Sequence, residues 1–251
     1  MISNSNLQKI AAQHQTPLFP NLLREYYQHL FLSALYRLSG AENILFKGGT
    51  ALRIIYGSPR FSEDLDFSVN KIVPRNLKEF AENLFIKTLA SIEKEGIAVK
   101  INGKSGATSG GYWGAATFQV PNSRSVSIEI NVSGRESRGV AGEVDSIVND
   151  FVPAYNLFHL AQYELTEEKI FGALMERKKP RDFYDLYFIM RKGMLSGIQK
   201  QRLKKIKDEI LNEAKDISFR DELGAFLPAD QQTIIRNFYR VLEAELNRQI
   251  V

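Results

Sequence analysis

The chain has 251 residues, 44% hydrophobic, 11% aromatic and 25% charged, and carries a net charge of +4 from 33 basic and 29 acidic side chains. That length admits one large or two modest domains whose core needs no covalent staples, and so mild a charge excess excludes a uniformly basic nucleic-acid coat while permitting local patches. Cysteine is absent and the three histidines (His14, His29, His159) are scattered, which excludes disulfide frameworks, thiol nucleophiles and zinc–thiolate or His-rich metal sites.

The first 19 residues are polar, with prolines at 17 and 20, and read as an arm or short helix. From Asn21 to Leu38 the apolar positions Leu23, Tyr27, Leu30, Phe31, Leu35 and Leu38 recur with helical period, and Gly40 supplies a stop. Ile44-Leu45-Phe46 is a short apolar run followed at once by Lys47-Gly48-Gly49-Thr50, from which a helix over 50–56 is expected, ended by Gly57-Ser58-Pro59. Asp64 to Val69 alternates, with Asp64, Asp66 and Ser68 on one face and Leu65, Phe67 and Val69 on the other, as in a half-buried strand. Pro74 fits the first turn of a helix with the stripe Leu77, Phe80, Leu84, Phe85, Leu89 and Ile92. Strands are expected at 97–101, 112–120 and 125–133; in the last, Glu129 faces away from Val126, Ile128, Ile130 and Val132. The glycine-rich stretch 103–114 reads as a flexible hairpin or a lid. Helical stretches at about 160–176, 181–193, 198–214 and 229–248 follow. The expected class is therefore α+β, a mixed sheet with flanking helices over 1–150 and a helical domain over 151–251. No basic-then-apolar leader opens the chain and no apolar run reaches about 18 residues, so the expected setting is cytoplasmic, without a membrane.

The chemistry concentrates in KGGTALRIIYGSPRFSEDLDFSV, Lys47 to Val69. Glycines after a strand let backbone approach an anion, and a helix start offers unpaired N–H groups. Carboxylates at i and i+2 of a strand share a face roughly 7 Å apart, a separation suited to one or two divalent ions about 4 Å apart. Alone, a Gly-Gly pair is usually a tight turn and a D-x-D a solvated strand face. In this order and context they form one coherent phosphate-and-metal site.

This segment resembles the nucleotidyltransferase signature G-[GS]-[ST] followed by D-x-D; more narrowly, GGTALR…RFSEDLDF resembles the AbiEii-type nucleotidyltransferase toxins of bacterial toxin–antitoxin and phage-defence systems. The resemblance implies a metal site of Asp64 and Asp66 with a third carboxylate, matched by Glu129, holding magnesium or manganese. It also implies an NTP seat at Lys47, Gly48, Gly49 and Thr50. A second stretch, Glu168 to Tyr187, resembles the family's EK…A…R…RDxxDLY element. There Lys169 matches a phosphate-contacting lysine, and Asp185, less closely Asp182, matches an aspartate required for activity. Arg181 and Asp185, at i and i+4, also satisfy the spacing of an ordinary helix pair. Ser62, two residues before Asp64, matches a serine whose modification silences some relatives, although capping is the commoner fate of such a serine. Arg53 flanks the glycine turn and either adds charge or packs.

The implied activity is NMP transfer from an NTP to RNA, at the 3′ end of tRNA, by a toxin with a cognate antitoxin. Between Arg177 and Lys207 eleven basic and two acidic residues suit an RNA backbone. Transfer to a protein or small molecule, or a catalytically silent nucleotide-binding module, are the alternatives.

Overall fold

A computed structural model of the chain describes residues 2–101, 106–108, 110–119, 125–134 and 141–249. Two compact units result, one of Met1–Gly57 with Phe61–Leu160, the other of Ser58–Arg60 with Ala161–Val251.

The first unit is built on a mixed sheet of eight strands: β1 (Ile44–Lys47), β2 (Leu65–Val69), β3 (Val99–Ile101), β4 (Gly106–Thr108), β5 (Gly111–Phe118), β6 (Val126–Ser133), β7 (Gly142–Ile147) and β8 (Tyr155–Leu160). They run in the order β3-β5-β6-β2-β1-β8-β7, with β4 on β5. β2 lies parallel to β6 and β1 parallel to β8, while the other pairs are antiparallel. Its helices are α1 (Asn4–Gln13), α2 (Leu23–Leu35), α3 (Gly48–Ile54) and α4 (Leu77–Lys94).

The alternation of β2 and β6 decides which face is covered. Leu65, Phe67, Ile128, Ile130 and Val132 are all buried, and α2 and α4 supply the partners: Phe85 of α4 meets Phe31 of α2 at 5.8 Å, Phe67 at 6.0 Å and Tyr112 at 5.8 Å, and Tyr27 stacks on Phe118 at 4.5 Å. Each such fully buried aromatic contributes about 2 kcal/mol of transfer free energy. The residues between them, Asp66 and Asn131 among these, therefore point to the opposite face.

Two strands were not expected. β7 has five exposed residues out of six at the sheet edge, so it lacks the alternation that marks a half-buried strand. β8 (YNLFHL) follows Pro153 and abuts the next helix, which hides it in a helical reading; the sheet unit runs on to Leu160 rather than stopping near 150. Within the glycine-rich stretch, β4 and the start of β5 pair as a hairpin, whereas 102–105 and 109 lie outside the described residues.

The second unit is helical. α5 (Gln162–Glu167) passes through a π-helical segment, Glu168–Leu174, into α6 (Met175–Arg177), which Lys178 ends in a left-handed conformation. There follow α7 (Pro180–Arg191), α8 (Gly197–Lys215), α9 (Arg220–Phe226), a 3-10 segment Ala229–Asn237 and α10 (Phe238–Gln249). Ser196 and Gln199 form a capping box at the start of α8. Phe183, Tyr184, Phe219 and Phe238 form the aromatic centre, with Phe219 and Phe238 at 4.7 Å.

Candidate active site

Strand register sets the floor of the site. Lys47 pairs with Asp66, Asp66 with Asn131 and Asn131 with Trp113, so four side chains from β1, β2, β6 and β5 form one row across the sheet. All four line a single cleft of 460 Å³ on the face away from α2 and α4.

Asp66 is held from two directions. Asn131 Nδ2 donates to its Oδ1 at 3.2 Å. On the other side β1 turns into α3 through Gly48, which has φ +86°, and a Cβ there would lie 2.2 Å from Asp66 Oδ2. Glycine is thus required twice over, by the left-handed backbone and by the carboxylate resting against it. The turn starts α3 at Gly48, two residues earlier than the sequence pattern places it.

Thr50 is 1% exposed and its hydroxyl donates to the Asp64 carbonyl at 2.5 Å, so this side chain anchors the chain just before β2. Gln28 of α2 steadies the same segment by donating to the carbonyls of Ser62 and Glu63 at 3.0 and 3.1 Å. The Ser62 side chain is half-buried. Arg53 packs: its guanidinium is bidentate on buried Glu25, at 2.6 and 2.9 Å, and covers the Phe61 ring at 3.7 Å.

Glu129 is exposed on β6, two residues along the same strand face from Asn131, and its Oε2 accepts from Trp113 Nε1 at 3.4 Å. Among the described residues no group of three or more His, Asp or Glu side chains is gathered tightly enough to hold a metal ion. The donor set is nonetheless of the right kind, since magnesium takes hard oxygens and is completed by substrate phosphates around only one or two carboxylates. The glycine cradle that leaves Asp66 Oδ2 uncovered by a side chain fits that requirement.

The helical unit holds a second cluster. Lys169 Nζ donates to Asp185 Oδ2 at 2.8 Å, and Arg60 grips the same carboxylate with Nε and Nη2 at 2.9 and 3.0 Å. All three side chains are buried. Burial alone would raise the Asp185 pKa, but the charges of Arg60 and Lys169 outweigh it and hold the carboxyl below its ordinary value. Lys169 sits in the π-helical segment, a distortion often found at functional positions. Asp182, also buried, accepts from the Lys179 N–H at 3.2 Å and from Arg177 at 2.5 Å, as a helix-start residue does. Arg181 turns to Glu222 at 3.4 Å and not to Asp185.

Of the basic stretch, Arg177, Lys178, Arg181, Arg191 and Arg202 are ion-paired to acids of the helical unit. Much of its excess charge is therefore answered internally. The sequence pattern assigns no role to Asn131, Trp113, Gln28 or Arg60. For the first two the signal was present, because they share a strand face with Asp66 or Glu129 once the strands are paired.

A sequence model of the family described as "Nucleotidyl transferase AbiEii toxin, Type IV TA system" matches residues 30–248. The chain belongs to the AbiEii family. Solved structures agree in fold. A candidate nucleotidyltransferase from Helicobacter pylori superposes with a TM-score of 0.57 at 21% identity, covering 91% of this chain and 96% of its own. JHP933, also from Helicobacter pylori, gives 0.57 at 19% identity, covering 99% and 96%. No curated protein matches. As an AbiEii-family nucleotidyltransferase of the type IV toxin–antitoxin class, the protein is implied to have an antitoxin partner. Among its described residues no helix is long and apolar enough to cross a membrane.

Proposed function

We propose that this AbiEii-family protein transfers NMP from an NTP to an RNA hydroxyl, at the 3′ end of tRNA, as the toxin of a toxin–antitoxin pair acting in the cytoplasm. The acceptor oxygen forms a bond to the α-phosphorus, the bond from that phosphorus to the β-phosphate bridging oxygen breaks, and pyrophosphate leaves. The hydroxyl proton passes to a carboxylate of the site or to water.

One observation carries this reading: the row Lys47–Asp66–Asn131–Trp113 floors one cleft, with Gly48 closed against Asp66. Asp66 and Asp64, with Glu129 as the third carboxylate that the resemblance implies, would hold magnesium or manganese, which would supply charge neutralisation on the transferring phosphoryl group. Asn131 fixes the Asp66 carboxylate. The Gly48–Gly49–Thr50 backbone and the Lys47 ammonium seat the β- and γ-phosphates. The Thr50 hydroxyl holds the Asp64 segment in place. The resemblance alone brings in Lys169, with Asp185, as the lysine whose charge would offset the leaving pyrophosphate. Ser62 is kept as a modification site that would silence the enzyme by placing a dianion beside Asp64.

Incubation with each α-labelled NTP, magnesium, and total tRNA or cell extract tests the reading. Label on tRNA, abolished by Asp66→Ala, is the expected result. Label on protein or a small molecule would replace the acceptor, and no label anywhere would leave a nucleotide-binding module.

A further inference from the structure

We propose that Trp113 is the platform on which the terminal base of the acceptor RNA stacks. The inference rests on the reading above and adds to it the side from which the acceptor enters.

The order of the row carries the argument. Lys47 and the Gly48 turn lie at one end, Asp66 in the middle, then Asn131, then Trp113. In phosphoryl transfer the attacking and leaving oxygens lie roughly in line across the phosphorus. With the leaving pyrophosphate on the Gly48 side of Asp66, the nucleophile comes from the opposite side. At about 4.8 Å per strand, Trp113 on β5 stands roughly 10 Å beyond Asp66 in that direction, the reach of one nucleotide whose hydroxyl is delivered to the centre.

The side chain is suited to the task. Its indole is half-buried and lines the cleft. The Nε1 edge is tethered to Glu129, and among the described residues the ring has no aromatic or cationic neighbour on its faces. An indole tethered at one edge and lining the cleft is what a stacking platform needs. Every base offers a π-face, so such a platform accepts an end nucleotide without reading its hydrogen-bonding edge.

Trp113 is the only tryptophan of the chain, so intrinsic emission reports from this position alone. Titration without NTP should show quenching by a single-stranded RNA octamer ending in adenosine, weak quenching by the same octamer ending in an abasic ribose, and none by NTP alone. In transfer assays Trp113→Leu should raise the acceptor KM about tenfold and the NTP KM by less than about twofold, with Trp113→Phe recovering most of the loss. Quenching by NTP but not by RNA, or an NTP KM that rises with the acceptor KM unchanged, would overturn the proposal. So would equal quenching by the two octamers. If wild type labels protein and not RNA, the acceptor assignment fails, and the octamer titration still decides Trp113. If tRNA is labelled equally well by Trp113→Leu, only the platform is lost.

Discussion

Gly48 and Asp66 are fitted to each other: the space that a Cβ of residue 48 would occupy is filled by the carboxylate of residue 66, whose Oδ2 would be only 2.2 Å away. Asp66 can adopt this position because residue 48 has no side chain, and the turn can form because glycine accepts φ +86°. Gly48→Ala should therefore displace the carboxylate as well as strain the turn. The left-handed backbone costs about 1–2 kcal/mol, and a displacement near 1 Å costs about 100-fold in rate. Nucleotide transfer should fall by that order while circular dichroism stays that of a folded protein.

Asn131 donates to Asp66 Oδ1 and should tune how that carboxylate meets a cation. Asn131→Ala is expected to raise the magnesium concentration for half-maximal transfer about tenfold. A purely structural residue would lower the melting temperature without moving that midpoint, so a magnesium titration of the variant separates the two.

Asp185 carries a structural burden besides any chemical one. Removing it by Asp185→Ala leaves Arg60 and Lys169 buried without their shared counter-charge, a loss of about 3–5 kcal/mol. Lys169→Met keeps the bidentate Arg60–Asp185 pair and should destabilise less. Thermal unfolding of both variants beside their transfer rates will tell which loss of activity is chemical: Lys169→Met should be inactive yet melt closer to wild type than Asp185→Ala.

His29 is buried, with Nδ1 and the Tyr155 hydroxyl 2.9 Å apart. Burial, with the charge of Arg53 adding to it, pushes its pKa down to about 3. A histidine depressed in the folded state stabilises the fold above its unfolded pKa near 6.5. As pH drops below that value the unfolded chain gains a proton that the folded one refuses. Stability should fall by up to about 1.4 kcal/mol per pH unit from about 6.5 toward 3. Denaturant midpoints at pH 7.5 and 5.0 should differ in wild type by an amount that shrinks in His29→Gln.

The parts of the fold legible in the sequence are those fixed by local periodicity. β2 and β6 alternate because one face is buried, and α4 follows its apolar stripe, so both were recognisable without coordinates. The edge strand β7 has no buried face to impose a pattern, and β8 is short and runs into a helix. Candidate residues separated in sequence behave the same way. Gly48 and Asp66 belong to a recognisable motif, but the Arg60–Asp185 pair spans 125 positions, and no local spacing reports it. Arg181 and Asp185 satisfied the i, i+4 rule and still took different partners, because Glu222 and the Lys169–Arg60 pair were better placed.

The tripeptide Ser58–Arg60 belongs to the helical unit although the residues on both sides of it belong to the sheet. The boundary is consequently crossed more than once, and a cut at 160 would separate Ser58–Arg60 from the unit to which they belong. A fragment beginning at Ala161 would lack the guanidinium that its buried aspartate needs. Such interleaving opposes gene fission and domain shuffling at that boundary.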